Sequence, residues 1–132
     1  MKDRLSRIPD FFRASWYSDR KDHRCPQDSF LDSIQVDDEE SGETNETSGD
    51  VITVRLRKAE GVAQIAFTYS GVRHRELTCY QCDQGIGYWL RDEFTIGASG
   101  ILRHRITWQS PLNGTSQWII EAQNVMMNWT TK

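Results

Sequence analysis

The chain has 132 residues, 37% apolar and 27% charged, with a formal net charge of -3. That length fits a single domain over residues 1–132, and a domain of this size buries roughly 60 to 70% of its unfolded-chain surface, so it can fold without a metal or disulfides. The longest uncharged apolar run is a few residues, and Met1-Lys2-Asp3-Arg4 leads into no hydrophobic segment. Neither a membrane span nor a signal peptide is expected, and the expected location is cytoplasmic.

Charge is distributed unevenly. Residues 1–24 hold seven Lys/Arg and four Asp/Glu, residues 25–50 hold nine Asp/Glu and no base, and residues 51–132 hold nine bases and six acids. The bases in the last part alternate with apolar residues and form no stripe, which argues against nucleic-acid binding.

Residues 6–16 predict a short N-terminal helix, with Pro9 tolerable in the first turn and Phe11, Phe12 and Trp16 able to share one face. The acidic stretch from about 37 to 50 has no apolar residue to bury and predicts a mobile loop, either an inert connection or a partner-binding arm. From residue 30 onward the period becomes two. Seven strands are predicted, at about 30–36, 50–58, 62–69, 73–82, 87–96, 100–109 and 116–126. Ile52, Val54 and Leu56 alternate with Thr53, Arg55 and Arg57, and Ala63, Ile65, Phe67 and Tyr69 repeat the pattern. Ala59-Glu60-Gly61, Ser99-Gly100 and Leu112-Asn113-Gly114-Thr115 read as tight turns, which make neighbours antiparallel. The expected fold is all-β, an antiparallel up-and-down, lipocalin-like barrel whose closure removes exposed edges, with the helix plugging one end.

The chemistry-bearing residues lie in these strands. Trp89, Trp108, Trp118, Trp129, Tyr69, Tyr80 and Tyr88 either fill the barrel or wall a cavity for a flat guest. Leu102, His104, Ile106 and Trp108 share one face of their strand, while Arg103, Arg105 and Thr107 share the other. If the apolar set points inward, His104 stands beside Trp108, where it can exchange a proton near neutral pH or simply be a hydrogen-bonded core histidine. Three cysteines, Cys25, Cys79 and Cys82, cannot all pair and are expected to be reduced. Cys79-x-x-Cys82 has zinc-knuckle spacing, with Cys25, His23 and His74 as further ligands. In a continuous strand those two thiols face opposite sides, so no metal is expected. Asn-x-Thr triplets at Asn45, Asn113 and Asn128 would matter in a secreted protein.

Three stretches in order resemble the S-type phycobiliprotein lyases, lipocalin-like proteins that attach linear tetrapyrrole bilins to cysteines of light-harvesting proteins. Phe11-Phe12, Ser15 and Ser18-Asp19-Arg20-Lys21-Asp22-His23 are similar to the family's opening helix and Ser-x-Arg-x-x-His signature. Gly87-Tyr88-Trp89-Leu90-Arg91-Asp92 resembles its Gly-x-Leu-Leu-Arg-Asp segment, and Arg105-Ile106-Thr107-Trp108-Gln109-Ser110-Pro111 its Arg-Ile-Trp-Phe-Ala-Ser-Pro turn. The chain departs from the family in length, in carrying His104 where an acid precedes the third motif, and in lacking arginines after Pro111.

The resemblance implies a phycobiliprotein chromophore lyase, with bilin as bound substrate and no other cofactor. The implied partners are the bilin and a phycobiliprotein apo-subunit, with a homodimer as the self-assembly. Arg20, Arg91 and Arg105, with His23 at the entrance, would clamp the propionates. Trp89 and Trp108 would pack on the pyrroles, and Asp92 or His104 would supply the proton that favours thiolate attack. The departures equally suit a relative that binds bilin without transferring it. A non-catalytic small-ligand barrel and a protein-interaction module remain the alternatives.

Overall fold

The computed structural model describes residues 8–19, 21–22, 24–38, 50–58, 63–79, 85–97 and 99–131. It is an all-β structure of six strands, β1 (Phe30–Asp38), β2 (Asp50–Arg57), β3 (Ala63–Leu77), β4 (Tyr88–Ile96), β5 (Leu102–Gln109) and β6 (Thr115–Thr131). They form one closed antiparallel ring in the order β1-β2-β3-β6-β5-β4.

The all-β antiparallel expectation holds, but this order corrects the expected up-and-down connectivity, in which every strand would pair with its neighbours in sequence. Each half of the chain supplies a three-stranded meander, but β3 pairs with β6 rather than β4, which puts β3 and β4 on opposite sides of the ring. The two joins between halves differ greatly. β3 and β6 are matched from Ala63↔Thr131 to Leu77↔Trp118, whereas β1 and β4 share the single pair Phe30↔Tyr88. The β4 side of that join is extended by Asp28 N–H donating to the Trp89 carbonyl at 2.8 Å and Trp89 N–H to the Ser29 carbonyl at 2.8 Å.

Two of the predicted strands are one. Residues 62–69 and 73–82 merge into β3, which runs through Gly71 and shifts register between Val72 and His74. Gly71 has a φ of +63°, and a Cβ there would lie 2.7 Å from Gln123 Oε1. The glycine permits a bulge within the strand where a turn was expected. β3 ends at Leu77, so the alternation that was to separate Cys79 from its neighbours does not extend to it. Cys79 is disulfide-bonded, correcting the expectation of reduced thiols, while Cys25 is a buried free thiol.

The predicted helix is shorter and broken. An α-helical turn, α1 (Asp10–Arg13), follows Pro9, and Ala14 is extended (φ -70°, ψ 143°) before a 3-10 turn over Ser15–Ser18. Such short turns cannot stand alone. They are held by apolar contact, with Phe11, Phe12 and Trp16 packed against the core. Of the acidic stretch expected to be a loop, Asp37 and Asp38 belong to β1 and Asp50 to β2; residues 39–49 lie outside the described residues.

Alternation fixes the core. Ile52, Val54 and Leu56 of β2, Ile65, Phe67 and Tyr69 of β3, and Ile106 and Trp108 of β5 are all buried, each contributing on the order of 1.5–3 kcal/mol for an aliphatic or Phe-sized side chain. The turn at 110–114 forms where expected. Ser110 N–H donates to the Gly114 carbonyl at 3.0 Å, and Asn113 (φ +73°) and Gly114 (φ +88°) take the left-handed conformations that turn requires.

Candidate functional site

The interior is a packed stack of rings. Phe67 lies on Trp89 with centroids 5.2 Å apart and planes 13° apart, Trp89 meets Trp108 edge-on at 5.6 Å, and Trp108 meets Trp118 at 5.0 Å. Trp89 and Trp108 are both fully buried. They face inward as the bilin reading required, but they are occupied with each other, which corrects the expectation of a hollow barrel holding a planar guest between them. Their indole nitrogens have no hydrogen-bond partner among the described residues.

A polar chain runs through this apolar stack. His104 is on the inward face of β5, its ring stacked on Phe94 at 3.9 Å and 8°. Its Nε2 lies 2.6 Å from Asp92 Oδ2, and its Nδ1 lies 2.8 Å from the Tyr69 hydroxyl. Tyr17, from the 3-10 turn, donates its hydroxyl to the same Asp92 Oδ2 at 2.6 Å. One proton assignment satisfies every group: Tyr69 O–H donates to Nδ1, Nε2–H donates to Asp92, and Tyr17 O–H donates to Asp92. A doubly protonated ring would leave the Tyr69 hydroxyl hydrogen without an acceptor in an apolar surround. Burial pushes both phenols well above their ordinary pKa of 10.0, and the Asp92 charge raises each further.

Asp92 and His104 are therefore brought together, as expected of an acid–base pair. The side chain of Asp92 is only 6% exposed and that of His104 is fully covered. Asp92 reaches the interior because β4 shifts register between Trp89 and Arg91, so that both Trp89 and Asp92, three residues apart, face inward.

The expected cationic clamps are elsewhere. Arg105 points outward from β5, 3.3 Å from Glu93 across the strand pair. Arg91 is exposed beside it, and the two border a notch of about 140 Å³ with Asp92, Glu93, Thr107 and Gln117. That is below the 300–1,000 Å³ of ordinary ligand pockets, so these arginines do not anchor a pigment inside the ring. The reason is parity: residues adjacent to an inward His104 must face out. Arg20 and His23 lie outside the described residues.

A larger concavity sits where the ring closes. Phe30, Leu31, Arg57, Ile86, Tyr88 and Pro111, with Gly85, Gly87 and Gln109, line a groove of about 590 Å³. Phe30 and Tyr88 meet edge-on with centroids 6.5 Å apart, and the Arg57 guanidinium lies 5.4 Å above the Phe30 ring. The groove draws on both later motif stretches, through Gly87 and Tyr88 and through Gln109 and Pro111. Gly87 has a φ of +99°, and a Cβ there would fall 1.7 Å from the Gln109 carbonyl oxygen. Only glycine allows the two segments to touch. Sequence reasoning missed Phe30, Leu31, Arg57 and Ile86: the β1–β2 ladder sets Phe30 opposite Arg57, and the β1–β4 join brings them to Tyr88.

Comparison of the chain with protein-family models, with curated proteins and with solved structures finds no match.

Proposed function

We propose that the chain binds a linear tetrapyrrole in the groove at the β1–β4 join and assists its attachment to a cysteine of a phycobiliprotein subunit. The observation that carries this reading is the meeting at one groove of one end of each of the two motif stretches that resemble the bilin lyases, Gly87 and Tyr88 from the first and Gln109 and Pro111 from the second. The groove supplies what a bilin needs for binding: volume, aromatic walls from Phe30 and Tyr88, and a guanidinium at Arg57 for a propionate. The acceptor thiol belongs to the partner subunit. Asp92 and His104 are the acid–base pair for the attachment step, which requires that they become reachable.

A second reading, binding without transfer, is favoured by one observation: Asp92 and His104 are buried and the described lining of the groove does not include them. Titration with phycocyanobilin tests both. Binding is expected to red-shift and sharpen the pigment absorbance, and Arg57→Ala is expected to weaken it by about 1.5 kcal/mol, the low end for a charge-assisted bond, because the side chain is half-exposed. An unchanged spectrum with the fold intact rejects the bilin reading. A shifted spectrum without covalent product on an apo-subunit selects the carrier reading.

A further inference from the structure

The outer face of β4, β5 and β6 carries its charges in cross-strand rows set by the register: Arg91–Thr107–Gln117, Glu93–Arg105–Ile119 and Thr95–Arg103–Glu121. Ion pairs take up most of these charges. Arg103 Nε lies 3.3 Å from Glu121 Oε2, and Arg105 Nη1 lies 3.3 Å from Glu93 Oε2. Three bases against two acids leave one base over, and it is Arg91, which makes no ion pair among the described residues. A second donor is also unused. Arg103 Nε and Arg105 Nε are both buried without a hydrogen bond among the described residues, but Arg103 turns that nitrogen to Glu121, whereas Arg105 offers Glu93 only Nη1. A buried donor of this kind costs free energy until an acceptor reaches it. Arg91 and Arg105 line the notch of about 140 Å³, together with Gln117 and with Thr107, which is only 3% exposed. Two carboxylates border the notch. Asp92 turns its Oδ2 inward to His104 and Tyr17, so Glu93 is the one that competes for the arginines.

We propose that this notch binds a tetrahedral oxyanion, the phosphoryl group of free phosphate or of a small phosphomonoester. A guanidinium stays charged and presents its donors as a planar fork that matches phosphate oxygens. Two such groups, with the Thr107 hydroxyl and the Gln117 amide, offer donors from three strands, more than the two oxygens of a carboxylate employ. The notch is too small for a pigment and suits one compact group. Binding displaces Glu93 from Arg105. Both side chains of that pair are about half exposed, so the exchange costs little. The notch shares no lining residue with the groove at the β1–β4 join, and the inference goes beyond the bilin reading without resting on it.

The test titrates inorganic phosphate into the full chain at fixed ionic strength, following arginine Nε–H and backbone amide resonances by NMR. Saturable shifts at Arg91, Arg105 and Thr107 are expected. Arg91→Ala is expected to weaken binding about tenfold and Thr107→Val about threefold at unchanged charge, while Glu93→Gln tightens it. Arg73→Ala removes the same charge from a different groove and is expected to leave the affinity within about twofold. The absence of a saturable shift in the unaltered protein overturns the site. Equal weakening by Arg73→Ala and Arg91→Ala also overturns it, because binding would then follow net charge alone. Acetate is expected to bind at least about fivefold more weakly than phosphate, and equal binding overturns the tetrahedral assignment. Phenyl phosphate binding more tightly than phosphate identifies a phosphomonoester as the source, and the reverse order identifies the free ion. Should Arg91→Ala fail to fold, Arg91→Lys, which keeps the charge but not the fork, is expected to weaken binding, and unchanged affinity rejects the proposal. None of these readouts uses bilin, so failure of the oxyanion site and failure of the ligand reading are separable.

Discussion

At the scale of single residues, the cost of burying polar groups explains why the Tyr17–Asp92–His104–Tyr69 chain is fully bonded. A buried donor or acceptor left unpaired costs about 1–3 kcal/mol. Tyr69→Phe removes the partner of His104 Nδ1, and it is expected to lower stability by about that amount, read as a shift in the urea midpoint. A change well under 1 kcal/mol would mean that Nδ1 finds water. Alkaline pH gives an independent check. Tyr17 and Tyr69 have folded pKa values raised above 10.0, so the unfolded chain releases their protons first as pH rises. The stability these groups contribute is intact below pH 10 and declines above it, by about 1.4 kcal/mol per pH unit for each phenol. Their phenolate absorbance is expected to appear only together with unfolding, and Tyr17→Phe with Tyr69→Phe should flatten the slope. Early ionisation of either buried phenol in the folded protein would contradict the network.

At the scale of elements, period-two alternation made most strands readable, because a strand with one face in a core and one in water announces itself. β2 runs over Asp50–Arg57, close to its expected bounds. The inward face of β5 was legible too, since Leu102, His104, Ile106 and Trp108 share one parity. Two irregularities were not legible. Gly71 looks like turn chemistry in a sequence but permits a bulge inside β3, and the register shift after Trp89 lets Asp92 turn inward against simple alternation. Two links of the polar chain were hidden for another reason: Tyr69 and His104 are 35 residues apart and Tyr17 and Asp92 are 75 apart, so neither link shows in the local sequence. Gly87 belongs to this scale as well. Gly87→Ala forces a Cβ onto the Gln109 carbonyl at a left-handed φ, so it is expected to cost more than about 1 kcal/mol and to reduce pigment binding by displacing Tyr88. Retained stability and retained binding would show that the groove does not depend on this contact.

At the scale of the whole molecule, the expected closed all-β wall is present, and of the two readings of its rings, lining a cavity or filling the barrel, the described residues fit the filled one. Composition supplied the rings without saying whether they would line a space or occupy it. Trp89, Trp108 and Trp118 form a continuous contact through the middle, and Trp16 packs against the core. A wall of six strands has little room, and side chains of this size fill it. The candidate binding region consequently lies at the mouth, where four discontinuous parts of the chain meet.

The unequal joins between the two meanders give the wall a spine and a clasp. β3 and β6 lie at the centre of the strand order and are zipped along most of their length, while the opposite side is fastened by the pair Phe30↔Tyr88 and the two backbone hydrogen bonds of Trp89 to Asp28 and Ser29. If the clasp parts, the cylinder unrolls into a flat six-stranded sheet with the spine undisturbed in the middle and β1 and β4 as its free margins. The groove, being built across the clasp, would be divided by that motion, so an occupant bridging both sides would act as a rivet.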